Sequence, residues 1–165
     1  MSGDRREDIL VELQTVLGAI SGIKGVWRDR GVLRPSMAPA ILLLDGNETR
    51  QTRVEGRGHM QMPPAVFTLK PEIAILLPPR DTVQNLTLGG LPQPIGPDLS
   101  AWRVAIIAAV INDSNLVSMC SPNQVTYDGY STDFRVGQEI GAFGAWMLFM
   151  FSFSYSLDPS RLTVQ

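Results

Sequence analysis

The chain has 165 residues and a formal net charge of −2; 44% of its residues are hydrophobic and 18% are charged, below the ~25% of typical domains. This length predicts one domain with a proper core, and the low charged fraction favours a chain that packs against others. The small net charge excludes a strong field that draws in nucleic acid, and the single cysteine, Cys120, excludes an internal disulfide and indicates a reducing compartment.

No segment predicts secretion or membrane insertion. The N-terminal MSGDRREDIL lacks the apolar stretch of a signal peptide. The longest apolar run, residues 101–111, contains Arg103 and is shorter than the roughly 20 residues that a spanning helix needs. The sequence therefore predicts a soluble protein.

Residues 4–20 predict an amphipathic helix. Asp4 followed by Glu7 resembles a capping box. Apolar residues recur at steps of three and four, as one stripe of a 3.6-residue helix requires: Ile9, Leu10, Leu13, Val16, Leu17 and Ile20. We expect this stripe to dock on a sheet.

Three strands are predicted next, over residues 23–28, 40–44 and 65–77. The continuous apolar pattern of 40–44 predicts a strand covered on both faces, ended by a turn at Asp45-Gly46. Pro71 cannot donate to a ladder, so it marks an edge, a bulge or a break.

Two long polar loops are predicted, at about residues 47–64 and 78–97. The first is far longer than a strand connection requires, and the second carries five prolines and three glycines between Pro78 and Pro97. Loops of this length in a compact domain are commonly functional.

A second helix is predicted over residues 99–111, with Asp98 as N-cap. Arg103 is its only charge, and apolar residues cover nearly the whole circumference, so we expect burial all round, against the first helix or another subunit. After it, residues 125–136 predict a hairpin or a kinked strand around Asp128-Gly129.

The last strand is the clearest pattern in the chain. Aromatic residues alternate with Met and Ser from Phe149 to Ser156, which predicts one apolar and one semi-polar face. The order of elements predicts an α+β domain, residues 1–165, with a mainly antiparallel sheet and two helices packed on one face.

The sequence predicts no catalytic, cofactor or metal site. The only histidine, His59, lies in the first polar loop, where nothing would hold it rigidly as a triad requires. Cys120 is interpreted as a buried, inert thiol. One histidine and one cysteine far apart cannot supply a zinc site, and no phosphate-binding or dinucleotide-binding glycine motif occurs.

The first polar loop, residues 47–64, is called the arm below. It carries alternating charges and the histidine, at Glu48, Arg50, Arg53, Glu55, Arg57 and His59. The arginines could touch phosphates, but a solvated segment of mixed sign is the favoured interpretation, since no basic helix supports the other. Ordering such a segment costs about 1–2 kcal/mol per residue, so we expect it to contact a surface outside its own fold.

Five segments in this order resemble the tail terminator (tail completion) proteins of long-tailed bacteriophages, including prophage and gene-transfer-agent versions. They are REDILVELQTVLGAISGIKGVWRD, PAILLLDGNE, PEIAILLP, LSAWRVAIIAAVINDSNL and YDGYSTDFRVGQEIGAFGAWMLFMFSFSYSLDPS. The likeness lies in the order and character of the segments, which span most of the chain.

The resemblance implies an α+β subunit of a hexameric ring that caps the tail tube, stops its polymerisation and joins the head connector or stopper protein. It implies a virion protein of the tail or neck, assembled in the bacterial cytoplasm, with DNA passing through the central hole without sequence-specific binding and with no catalytic residues. On this hypothesis the arm contacts an adjacent subunit or an axial partner, and Arg50, Arg53 and Arg57 are candidates to face the lumen.

Two other functions stay open from the sequence. The chain could be another neck protein, such as a head-completion protein or an adaptor, which differs in its partner. It could also be a small-ligand binding domain or an enzyme that uses the proline-rich loop as a lid, although no convergent polar groups favour this.

Overall fold

The computed structural model describes residues 4–29, 33–51, 65–78, 96–120, 125–133 and 145–157. Three helices and five strands lie in this part of the chain. In chain order they are α1 (Arg5–Gly18), β1 (Val26–Arg28), β2 (Ala40–Arg50), β3 (Ala65–Leu77), α2 (Gly96–Ile111), α3 (Ser114–Met119), β4 (Val125–Asp133) and β5 (Ala145–Leu157).

The described strands form one sheet in the order β1-β2-β3-β5-β4. β1 pairs parallel to β2, and every other pairing is antiparallel. The prediction of an α+β domain with a mainly antiparallel sheet is confirmed. None of the helices in the described ranges is long and apolar enough to cross a membrane.

The core lies between the helices and one face of the sheet, here called the helix face. Side chains of β3 and β5 at odd positions fill it, because residues two apart in a strand share a face. The aromatic residues of β5, Phe149, Phe151, Phe153 and Tyr155, are all at most 1% exposed, as the alternation predicts. The helices add Ile9, Leu10, Leu13, Leu17, Leu99, Ile106, Val110 and Leu116 to the same cluster.

Helix α1 begins as the sequence predicts. The Asp4 carboxylate accepts a hydrogen bond from the backbone N–H of Arg6 at 3.0 Å, which satisfies one of the unpaired donors of the first turn. The Glu7 carboxylate accepts two hydrogen bonds from Arg28 of β1.

The predicted turn at Asp45-Gly46 is wrong, because β2 continues to Arg50. A register shift between Leu44 and Asn47 marks a β-bulge, and Gly46 has φ +66°. Pro71 of the central strand β3 lies opposite this bulge, between the paired residues Lys70 and Glu72, where the ladder needs no donor from it. The first four residues of the predicted arm are thus strand, and residues 52–64 lie outside the described part.

Helix α2 differs from its prediction at both its start and its outer side. It begins at Gly96, so Asp98 lies in the first turn rather than at the N-cap. The expected burial all round is also wrong for this chain by itself, because Val104 is 64% exposed and Ala101 and Ala108 are exposed as well. The second predicted long loop contributes only Pro78 to the described residues before α2.

The sequence around Cys120 forms a short helix that was not predicted. Asp113 caps α3 by accepting from the Leu116 N–H at 2.8 Å. Cys120 is 3% exposed, and burial raises the pKa of its thiol to about 11, which keeps it protonated. Of the two possibilities for Asp128-Gly129, the kinked strand is the one observed, with a register shift between Tyr127 and Gly129.

Candidate interaction surface

The face of the sheet opposite the helix face, here called the open face, is divided into two halves. One half is apolar and the other is polar, and the bulge of β2 marks the boundary. The apolar half is formed by Trp27, Leu42, Leu44, Ala74, Leu76, Trp146, Leu148 and Met150, and one exposed carboxylate, Glu72, lies at its border between Leu44 and Met150.

The apolar half is a continuous surface across the strands. Trp27, Leu42, Ala74 and Leu148 form one cross-strand row over four strands. Ala74 is buried, the side chains of Trp27, Leu42 and Leu148 are partly buried, and Met150 is 40% exposed. Within the described ranges no helical side chain joins this half, which therefore resembles the core side of an interface more than a solvated sheet.

The polar half satisfies its own hydrogen bonds. Gln51 Nε2 donates to Thr68 Oγ1 at 2.7 Å, and the hydroxyls of Thr68 and Ser154 lie 3.4 Å apart. Nearby, the Ser152 hydroxyl donates to the Asp128 carboxylate. Each of these buried hydroxyls therefore has a hydrogen-bond partner within the chain. They stabilise this half of the sheet and do not form a group of free polar atoms that could bind a ligand.

A cluster of charges joins the start of α1 to the ends of β1 and the β2 bulge. Arg28 binds two carboxylates at once: Nε and Nη2 donate to Asp45 at 2.5 and 2.7 Å, and Nη1 and Nη2 donate to Glu7 at 2.5 and 2.8 Å. Arg6 adds a 2.9 Å bond to Asp45 and lies 3.7 Å from Glu48. Paired forks of this kind fix geometry as well as charge.

This cluster predicts a specific loss of stability in acid. Hydrogen bonds from Arg28 lower the pKa of Asp45 from its usual 3.8 to about 2, so its stabilising contribution is complete above pH 3.8 and is lost as the pH falls through 2. We expect the unfolding free energy to drop by roughly 1 kcal/mol over this window because of Asp45, after allowance for solvent screening. Urea unfolding at a series of pH values measures it.

The control for the acid experiment is Asp45→Asn, which cannot titrate. Between pH 4 and pH 2 its unfolding free energy should fall less than that of the unmodified chain. The difference between the two losses is the contribution of Asp45. Identical pH profiles for the two proteins would contradict the assignment.

A cation lies over two tyrosines where α2 meets β4. The Arg103 guanidinium carbon is 4.8 Å from the ring centroid of Tyr130 and 6.0 Å from that of Tyr127. Arg103 Nε also points to the Tyr127 hydroxyl at 3.5 Å. Tyr130 is 47% exposed, so this cation–π pair lies at the surface.

The predicted contact residues are described only in part. Glu48 and Arg50 lie at the end of β2, paired with Leu69 and Phe67 of β3. Glu48 faces Arg6 of its own chain, and Arg50 is exposed. Arg53, Glu55, Arg57 and His59 lie outside the described residues, so their predicted roles stay predictions.

Sequence reasoning missed the apolar half of the open face and the Arg103–tyrosine pair. The open face was detectable in part, because residues 40–44 are apolar at every position and so must present leucines on both sides of the sheet. The tyrosine pair was not detectable, because it depends on the bulge that returns Tyr130 to the side of Tyr127.

The described residues contain no group of three or more His, Cys, Asp or Glu placed to hold a metal ion. No protein-family model matches the sequence, and a search of curated proteins finds no match.

Proposed function

We propose that the chain is a structural subunit of a ring, hexameric by the resemblance, that terminates the tail of a long-tailed bacteriophage and joins it to the head connector. The observation that carries the proposal is the apolar surface that the described part of the chain leaves exposed or partly exposed. Two separate areas contribute: the outer side of α2 and the apolar half of the open face.

The first area suits a neighbour in a ring. Val104, Ala101 and Ala108 make the exposed side of α2 apolar and small, so another subunit can approach closely. A lone domain gains nothing from exposing this surface, whereas a subunit that buries it gains about 25 cal/mol per Å² of apolar area.

The second area suits an axial or lateral partner. The apolar half of the open face includes two tryptophans, Trp27 and Trp146. Tryptophan is enriched in protein interfaces. On this proposal the partner is the tail tube protein or the connector.

The arm extends the same proposal. Since β2 ends at Arg50, the segment that reaches a neighbour starts beyond Gln51, whose backbone N–H still binds the Val66 carbonyl at 2.8 Å. In the ring, Arg50 together with Arg53 and Arg57 would be placed to meet the phosphates of DNA in the lumen, through charge and without sequence readout.

A tube-assembly experiment tests the function. Purified chain is added to polymerising tail tube protein from the same genome, and the tubes are measured by negative-stain electron microscopy. We expect shorter tubes with a ring at one end. A matched variant that lacks residues 53–60, and so keeps all of β2, should fold normally but cap fewer tubes.

Three results would contradict parts of this proposal. Tubes with unchanged lengths and bare ends would exclude tail termination, and binding to the connector alone would favour a different layer of the neck. Full capping by the variant without residues 53–60 would remove the arm from the contact.

A further inference from the structure

We infer that neighbouring subunits of the ring meet through the two opposite edges of the sheet. The α2/β4 edge of one copy packs against the α1/β1 edge of the next. This inference rests on the proposed ring and adds to it the surfaces that close it. It follows from the shape, the exposed apolar residues and the charges of the two edges.

The topology places the two edges at opposite ends of the subunit. β1 and β4 are the outermost strands of the described sheet, with β2, β3 and β5 between them. Helix α1 contacts β1 and β2, whereas α2 contacts β4. Each end of the subunit therefore carries one edge strand and one helix, as a head-to-tail contact that closes by rotation requires.

The α2/β4 edge presents aromatic and apolar side chains beside the cation Arg103, and two further carboxylates, Asp98 and Asp133, belong to the first turn of α2 and the last position of β4. Val104 is 64% exposed and Tyr130 is 47% exposed. Arg103, the residue before Val104 in α2, has its guanidinium carbon 4.8 Å from the centroid of the Tyr130 ring. Asp128 of β4 binds Ser152 and lies 3.7 Å from Lys70, both on the open face, so its charge is engaged away from Arg103.

The α1/β1 edge presents an apolar residue beside an acidic cluster. Glu7, Val11 and Gln14 are three or four residues apart and so share one side of α1. That side faces β1, because Glu7 binds Arg28 and Gln14 Nε2 donates to the Val26 carbonyl at 3.4 Å. Val11 is 50% exposed.

Among the described residues, carboxylates outnumber cations in the ion-pair cluster around Arg28 on the α1/β1 edge. The guanidinium groups of Arg6 and Arg28 form ion pairs with four carboxylates, those of Glu7, Asp29, Asp45 and Glu48. The side chain of Asp29 is the most exposed of them, at 52%. Lys24 lies before β1, away from this cluster, and its Nζ donates to the Ser36 carbonyl at 3.2 Å.

The two edges are complementary in both respects. Each offers an exposed valine, and the cation of one edge matches the excess of carboxylates on the other. A tyrosine-stacked arginine is the kind of anchor that dominates interface energies, and its guanidinium can still bind a carboxylate while it lies on the ring. The occupant that fits the α2/β4 edge is therefore a second copy of this chain.

The test uses two variants that each place a charge on one edge. Val104→Arg disrupts the α2/β4 edge, and Val11→Arg disrupts the α1/β1 edge. Both positions are exposed, so the subunit fold should survive, which circular dichroism and thermal unfolding check. Ser118→Arg, at an exposed position of α3 on neither edge, is the matched control. The masses of the assemblies are measured by native mass spectrometry.

We expect rings from the unmodified chain and from Ser118→Arg, and loss of the ring species from Val104→Arg and from Val11→Arg. An equimolar mixture of the two disruptive variants should give heterodimers and no rings. The Val104→Arg copy keeps its α1/β1 edge and the Val11→Arg copy keeps its α2/β4 edge, so these two intact edges can pair once and no further copy can be added. This mixing result is specific to a contact between two different edges.

Rings of normal mass from both disruptive variants, or a mixture that stays monomeric, would overturn the assignment of these edges. The proposed ring would stand in that case, since the unmodified chain still assembles. An unmodified chain that never forms rings would contradict the proposed function itself, so the two failures are distinguishable.

Discussion

Replacing Gly46 by alanine is expected to cost at least about 3 kcal/mol of unfolding free energy, a large share of the stability of a domain of this size. A Cβ atom at this position would lie 1.9 Å from the Lys70 carbonyl oxygen, and the backbone has φ +66°. Neither the clash nor the angle can be relieved without undoing the bulge that connects the two halves of β2. Chemical denaturation of Gly46→Ala measures the loss.

The control for this prediction is Gly18→Ala. Gly18 is the last residue of α1, and a Cβ there would meet only Val26 Cγ2, at an ordinary 3.8 Å. We expect this change to be neutral or stabilising by up to about 1 kcal/mol, because it removes freedom from the unfolded chain. Equal stabilities for the two glycine variants would show that the bulge does not need glycine.

Replacing Phe151 by alanine is the second large effect, with an expected loss of about 3–5 kcal/mol. Phe151 is fully buried on the helix face of β5. Its ring centroid lies 5.3 Å from that of Tyr127 and 6.4 Å from that of Phe153, so the cavity would open between these two aromatic side chains. Thermal or urea unfolding of Phe151→Ala tests it.

The neighbouring residue provides a matched control. Met150 precedes Phe151 in the same strand but points to the open face and is 40% exposed. Met150→Ala should therefore cost the isolated subunit less than about 1 kcal/mol. A loss from Met150→Ala as large as that from Phe151→Ala would mean that the open face is covered as completely as the helix face.

The parts of the fold that local pattern decides were predictable from the sequence. The stripe of α1 and the alternation of β5 each encode one buried side directly, so Leu13 and Phe153 are buried as expected. Asp4 caps α1 because a short carboxylate before a helix needs no distant partner.

The parts that depend on long-range pairing were not predictable. Asp45-Gly46 has the composition of a turn, yet it forms a bulge because β3 continues to pair with β2 beyond it. Likewise α2 is apolar nearly all round, but the domain buries only its inner side, which leaves Val104 exposed. Composition gives the amount of apolar surface, whereas the topology decides which part of it remains for partners.

The candidate surfaces were predictable to a smaller degree. The sequence indicates excess apolar surface and charged residues in the arm, of which Glu48 and Arg50 are seen at the end of β2. It does not indicate that Arg103 stacks on Tyr130, or that Arg28 joins Glu7 and Asp45, because these contacts join elements far apart in the chain.

The mass of the purified, unmodified chain under native conditions tests the central claim most directly, namely that this fold completes its burial by contact with copies of itself. We predict a closed ring of six subunits, visible as a single dominant species and as ring-shaped particles in negative stain. A monomer at every concentration measured would contradict the account.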